Sequence, residues 1–174
     1  MGKFTQGLLD TDLILKTLDI EAGQIMLDAG CGNGYVSKLL AERVGQSGKV
    51  YALDKNNYFI QTLKKETQGS NIEPIEVDIT SRIPLNDSSI DIIYVSTVMH
   101  IFSSKQIQDF LQEAKRLLKP NGTLAIVEIA KEETPFGPPL ESRYSPQELK
   151  EIVPMLPGDT VQVGEHFYMQ LFQN

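Results

Sequence analysis

The stretch LDAGCGNGY, residues 27–35, decides how the fold is read. Gly30, Gly32 and Gly34 alternate along it, and Asp28 stands just ahead of them. A single turn does not need three glycines. Glycine tolerates positive φ and lets another group approach the backbone closely, so the spacing asks what comes so near this loop. The run QIMLDAG leads into the glycines and reads as a buried strand. Beyond them, YVSKLLAERVG sets Val36, Leu39, Leu40 and Val44 at helical spacing. A strand, a glycine loop and a helix in succession offer free N–H groups and a partial positive charge at the helix N-terminus.

The alternation continues outward. KVYALD reads as a strand ending on Asp54, YFIQTLKKE as a short helix, and IEPIEVD as a strand ending at Asp78 that Pro74 assigns to an edge. SIDIIYVSTVMH is the most continuously apolar run, as a central parallel strand should be. Ile107, Phe110, Leu111, Ala114, Leu117 and Leu118 mark the clearest helix, with Ser103 and Gln106 at capping-box spacing. KPNG stops that helix and TLAIVEIA is the next strand. After the proline-rich loop KEETPFGPPLESRY, a last helix starts at Ser145, with Pro146 at its first position and Glu148 completing a second capping box. DTVQVGEHFYMQLFQ reads as a hairpin turning near Gly164 and Glu165, and Leu13, Ile14 and Leu18 mark a leading helix. The expectation is an α/β fold whose parallel sheet is covered on both faces and whose crossovers are right-handed. It is one domain over 1–174, with an N-terminal arm and helix over 1–22 and a loop over 131–145.

Composition narrows the function classes. The 174 residues suit one domain, and 16 basic against 23 acidic residues give a net charge of −7 with no basic stripe, so no nucleic-acid partner is expected. The pairs Lys64-Lys65 and Lys115-Arg116 read as solvated helix faces. No apolar run approaches the roughly 20 residues of a membrane span. MGKFTQGLLD lacks a signal peptide's apolar stretch, and Gln6 breaks the myristoylation pattern, so a cytoplasmic location is expected. Cys31 is the only cysteine, which excludes an internal disulfide and a cysteine-cluster metal site; no metal is expected.

Three successive strands carry Asp28, Asp54 and Asp78 at their carboxyl ends, where ligands bind in such sheets. Each has a plain reading: the loop as a tight turn, Asp54 as a cap before KNNY, Asp78 as a cap in DITS. Together they are more specific. Dinucleotide sites use G-x-G-x-x-G with the pyrophosphate on the helix N-terminus. Here the spacing is G-x-G-x-G, and the preceding carboxylate would repel a pyrophosphate while suiting an ammonium or a sulfonium. S-adenosylmethionine carries both, together with an adenosine. Asp54 can accept hydrogen bonds from ribose hydroxyls, and Asp78 from an adenine amino group.

LDAGCGNG, VYALD, VDITSRIPL, IDIIYVSTVMH and LKPNGTLAIVE resemble the ordered motifs of class I S-adenosylmethionine-dependent methyltransferases, in particular the small type-11 group. The similarity covers about residues 20 to 130. It implies a Rossmann-like three-layer sandwich with a seven-stranded, mostly parallel sheet whose antiparallel C-terminal strand is inserted beside the fifth. It implies S-adenosylmethionine as cofactor, S-adenosylhomocysteine as product, and a loop formed by Asp28, Gly30, Cys31, Gly32 and Gly34. Asp54 would bind the ribose with Lys55 beside it, Asp78 and the backbone of Ile79 would hold the adenine, and Ser96 would lie by the methionine part.

Methyl transfer from a sulfonium mainly needs positioning, with a general base where the acceptor holds its proton. His100, just past the fourth strand, is the candidate base, and Glu128 near the end of the fifth is a second polar group over the acceptor. Helix capping and rim charge are their plain alternatives. Lys131 follows Glu128, while Arg143 and Tyr144 read as packing and solvation, His166 as structural, and Cys31 as a small packing residue within the loop. The loop over 131–145, with Phe4 and the N-terminal arm, is expected to act as a substrate lid. Position 97 opens no Asp/Asn-Pro-Pro-aromatic run, Cys31 follows no proline, and the other cysteines of arsenite enzymes are missing, which sets those relatives aside. The short region before the first helix argues against a long isoprenoid acceptor. The expected activity is methyl transfer to a small-molecule acceptor. The alternative is a non-catalytic, methyltransferase-like scaffold subunit, and a homodimer in which one subunit helps close the other's site stays open. A NAD-dependent enzyme is disfavoured by the glycine spacing.

Overall fold

The computed structural model describes residues 6–174; Phe4 and the start of the arm, assigned above to the lid, lie outside the described residues. The elements run α1 (Thr11–Thr17), β1 (Ile25–Ala29), α2 (Tyr35–Val44), β2 (Lys49–Asp54), α3 (Asn57–Glu66), β3 (Ile72–Glu76), β4 (Ile90–Ser96), α4 (Ser104–Leu117), β5 (Leu118–Ile129), α5 (Pro146–Ile152), β6 (Leu156–Gly164) and β7 (Phe167–Gln173). They build a seven-stranded sheet in the order β3-β2-β1-β4-β5-β7-β6. All neighbours from β3 to β5 are parallel, and β7 is antiparallel to both β5 and β6. The chain steps outward from β1 to β3 and returns to β4 on the other side of β1. That reversal opens a crevice at the strand carboxyl ends.

Side chains alternate across a strand, so each strand feeds two cores. Met26, Val50, Ile92 and Tyr94 face α1 and α2, meeting Ile14, Leu18, Val36 and Leu40. Leu27, Ile93, Val95 and Ile126 face the other way, toward Ile107, Phe110 and Leu111 of α4 and Leu149 of α5. Both expected capping boxes are present: Ser103 with Gln106 on α4, and Ser145 with Glu148 on α5, where Pro146 opens the helix. Such a cap contributes about 1 kcal/mol.

Two boundaries differ from the sequence reading, and the segment between β3 and β4 is given no element there. Strand β3 ends at Glu76, so Asp78 stands just beyond the strand rather than at its end. The crossover over 77–89 contains no helix, and the chain reaches β4 through turns alone. KPNG does not separate α4 from the strand but lies within the start of β5. There the pairing jumps from Ile90↔Leu118 to Ile92↔Thr123, with Asn121 at φ 65°. Pro74 is on an edge strand, as a residue without an N–H requires. Among the described residues no helix is long and apolar enough to cross a membrane.

Candidate active site

The glycine loop is built by its backbone. Gly30, Gly32 and Gly34 have φ of 76°, 54° and 76°, in the left-handed region that disfavours a Cβ. Neighbours also press on it. A Cβ on Gly30 would stand 3.2 Å from Val98 Cγ1, and one on Gly34 would stand 2.4 Å from Leu63 Cδ1. Gly34 is therefore bare for an internal reason, the packing of α2 against α3. The loop is tied to β2: the N–H groups of Gly30 and Cys31 both donate to Leu53 O at 2.8 Å. Gly32 N–H donates to Asp54 Oδ2 at 2.9 Å, and Asn56 N–H to Asp54 Oδ1 at 2.8 Å. Asp54 thus fastens the loop and keeps further lone pairs at the crevice. Cys31 is buried with Ala52, Ile60 and Leu63, away from the crevice, and burial pushes its thiol pKa well up. Its side chain packs and does not face a ligand; only its backbone belongs to the loop.

Asp28 is 3% exposed and accepts a hydrogen bond from Ser37 Oγ at 2.6 Å. Burial pushes its pKa up to about 6; the Ser37 hydroxyl opposes this and nearby Asp54 adds to it. No lysine or arginine pairs with it among the described residues. Asp78 Oδ1 accepts from Thr80 N–H at 2.9 Å and from Thr80 Oγ1 at 2.7 Å, which hold its pKa below the usual carboxylate range. The cap-like reading of DITS therefore holds together with a place at the crevice.

Between these groups lies a cavity of about 140 Å³ lined by Gly30, Asp54, Lys55, Val77, Asp78, Ile79, Val98, Ile101 and Phe102. Five of these, Gly30, Asp54, Lys55, Asp78 and Ile79, were expected from the sequence. Val77, Val98, Ile101 and Phe102 were not. A usable signal was the apolar run VMHIF just after β4, where a turn would ordinarily be polar. Asp28 and Ser96, both 3% exposed, are not among the residues that line it.

His100 sits in a 3-10 turn, Met99–Ile101, between the cavity residues Val98 and Ile101. Its Nδ1 is 2.9 Å from Glu128 Oε2, and Met99 N–H donates to Glu128 Oε1 at 2.8 Å. Glu128 is 1% exposed. The residue that the sequence reading set over the acceptor is thus buried against His100 and the turn that carries it. Nδ1 is the ring nitrogen that meets the carboxylate, which leaves Nε2 as the nitrogen not engaged by Glu128. Thr97, which begins the turn, is a β-branched residue at φ 54°.

The loop over 131–145 is wrapped around one of its own side chains. Arg143, 5% exposed, donates from Nε to Pro138 O at 2.8 Å, from Nη1 to Ala130 O at 3.1 Å and Glu132 O at 2.8 Å, and from Nη2 to Phe136 O at 3.2 Å. Lys131 pairs with Glu148 at 2.5 Å, and with the Ser145 N–H it holds the Glu148 pKa down at about 2. Tyr168, opposite Glu128 in the β5–β7 register, donates to Tyr144 O at 2.5 Å. His166, at the β6–β7 turn, packs edge-on against Phe136 and does not line the cavity. Among the described residues no cluster of His, Cys, Asp and Glu is arranged to hold a metal ion.

The pattern of the family described as "Methyltransferase domain" matches residues 27–126. Over 128 residues the chain is 32% identical to demethylmenaquinone methyltransferase of Lactobacillus johnsonii, covering 70% of this chain and 50% of that protein. It is 28% identical over 124 residues to a 2-phytyl-1,4-naphtoquinone methyltransferase of Trichormus variabilis, covering 67% and 52%. The chain spans about half the length of these curated relatives. A crystal structure of a SAM dependent methyltransferase from Aquifex aeolicus superposes with a TM-score of 0.86 at 30% identity, over 99% of this chain and 93% of that one.

Proposed function

The chain belongs to the methyltransferase-domain family, and on that premise we propose that it binds S-adenosylmethionine and transfers the methyl group to a small-molecule acceptor. The observation that carries the reading is Asp28, a buried carboxylate that no lysine or arginine among the described residues pairs with, under a glycine loop whose backbone admits close approach. Such a group is costly unless something positive comes to it. The donor set fits the cofactor. Asp54 would accept from the ribose hydroxyls with the lone pairs that Gly32 and Asn56 leave, with Lys55 alongside. Asp78 would accept from the adenine amino group through the oxygen that Thr80 does not use, and Ile79, Val98 and Phe102 would flank the base. Asp28 and Ser96 would meet the amino-acid end.

When bound, the cofactor supplies a methyl group already activated by its sulfonium charge. The protein's task is then to orient the acceptor and remove its proton. His100 Nε2 is the base, and Glu128 is a positioning residue that holds the imidazole's tautomer and angle. A well-placed base contributes roughly 10²- to 10⁴-fold in rate, so it serves an acceptor that still carries its proton at neutral pH. The loop over 131–145, held by Arg143, is the wall on the acceptor side. The acidic surface, with its net charge of −7, speaks against a nucleic-acid substrate. A cytoplasmic location and a homodimer completing the acceptor wall belong to the same reading; sedimentation of the purified protein tests the dimer.

The test uses S-adenosylmethionine labelled on its methyl group, incubated with the protein and a metabolite extract. Label entering small molecules, and lost when Asp54→Ala replaces the wild type, is the expected result. Label in protein or nucleic acid would overturn the acceptor class. Cofactor retention without transfer to any fraction would favour a scaffold subunit.

A further inference from the structure

Tyr94 lies at the centre of the sheet, 1% exposed, and its hydroxyl has no hydrogen-bond partner among the described residues. Buried hydroxyls are rarely left this way, and phenylalanine would fill the same volume without the penalty. The position of the hydroxyl is informative. Tyr94 is paired with Asp28 across β1 and β4, and side chains of paired positions share a face of the sheet. Ser96, the next residue of β4 on that face, lies near enough to oppose the rise of the phenol pKa, but its contact with the hydroxyl falls short of hydrogen-bond geometry. Burial, together with the charge of Asp28, pushes the phenol pKa up, so the group stays a neutral donor. The ring packs with Met26, Val36 and Leu40 beneath α2, on the side of the glycine loop where Asp28 and Ser37 meet.

The amino-acid end of the proposed cofactor carries two charges of opposite sign. Asp28 only accepts, and it suits the ammonium. The carboxylate needs a donor, and Ser37 already donates to Asp28. Resting on the cofactor reading above, we propose that the Tyr94 hydroxyl donates a hydrogen bond to the carboxylate of the cofactor's methionine end, so that Tyr94 and Asp28 together select ligands that carry the whole amino acid. The hydroxyl finds no partner among the described residues because its partner arrives with the ligand.

Tyr94→Phe tests this with two ligands, S-adenosylhomocysteine and 5′-methylthioadenosine, which keeps the adenosine and the thioether but lacks the amino acid. Calorimetric titration and thermal unfolding are read for both variants. The unliganded Tyr94→Phe protein should melt at the same temperature as wild type or higher. Its dissociation constant for S-adenosylhomocysteine should rise about tenfold, or 1.4 kcal/mol, with that for 5′-methylthioadenosine unchanged. Unchanged affinity for S-adenosylhomocysteine would overturn the assignment and leave the hydroxyl to an ordered water. Equal losses for both ligands would overturn it as well, by showing general damage to the site. Wild type that binds neither ligand would remove the cofactor reading itself, and this inference with it.

Discussion

Asp28→Asn should stabilise the unliganded protein at neutral pH while removing its response to ligand. The carboxyl is 3% exposed, and burial raises its pKa from 3.8 to about 6. A rise of that size corresponds to roughly 3 kcal/mol. The sign follows from proton linkage. Between the unfolded and folded pKa values the native state holds the proton more tightly than the unfolded chain does, so stability falls as pH climbs through that window and stays lower above it. Asparagine never ionises and keeps an oxygen to accept from Ser37 Oγ. If its new amide donor finds no partner it gives back about 1 kcal/mol at every pH, leaving an expected gain of about 2 kcal/mol at neutral pH that turns into a loss of about 1 kcal/mol below about pH 4. Urea unfolding of both proteins across this range measures the gap directly, with equal m-values as the check on two-state behaviour. Ligand binding should move the other way. Only the ionised carboxylate attracts an ammonium, so wild-type affinity for S-adenosylhomocysteine should drop up to tenfold per pH unit below about 6, and the asparagine variant should bind weakly at every pH. An asparagine variant less stable than wild type at neutral pH, or a gap that does not change with pH, would refute the reasoning.

Gly34→Ala puts a Cβ at φ 76° and 2.4 Å from Leu63 Cδ1, so it should destabilise by about 3 kcal/mol. Adding Leu63→Ala should cost less than the sum of the two single changes, as a double-mutant cycle in urea would show. Arg143→Ala frees four backbone carbonyls; limited proteolysis should cut the loop over 131–145 at least roughly tenfold faster while the urea midpoint of the whole domain moves much less. Once an acceptor is in hand, His100→Ala and Glu128→Gln should each lower kcat about 100-fold or more with little change in cofactor affinity. The double variant should be no worse than His100→Ala, because the two act as one unit; additive losses would separate them.

How far the sequence reached can be judged residue by residue. The glycine loop, both capping boxes and the edge position of Pro74 were legible because each follows from short-range chemistry: φ preference, an N-cap oxygen, a missing N–H. That Asp54, Lys55, Asp78 and Ile79 share one cavity was legible because strand ends converge at the switch point once the alternation is recognised. Val98, Ile101 and Phe102 were missed: the apolar run VMHIF signals a buried turn, but nothing local says which cavity that turn covers.

By itself the sequence determined which segments become strands and helices, and that carboxylates gather at one end of the sheet. Tertiary structure alone decided what those groups became. Glu128 read as a polar group near the acceptor, and its buried contact with His100 was not foreseen, because only the turn Met99–Ile101 brings residues 28 positions apart to 2.9 Å. Asp28 acquired its raised pKa from packing under α2, and Tyr94 came to stand beside it through the register of β1 on β4. Arg143 read as an ordinary surface cation and proved to be the centre of its loop. Propensity and capping act over a few residues and are written in the chain. Burial, register and charge pairing act between segments far apart in sequence, and exist only once the sheet has brought those segments together.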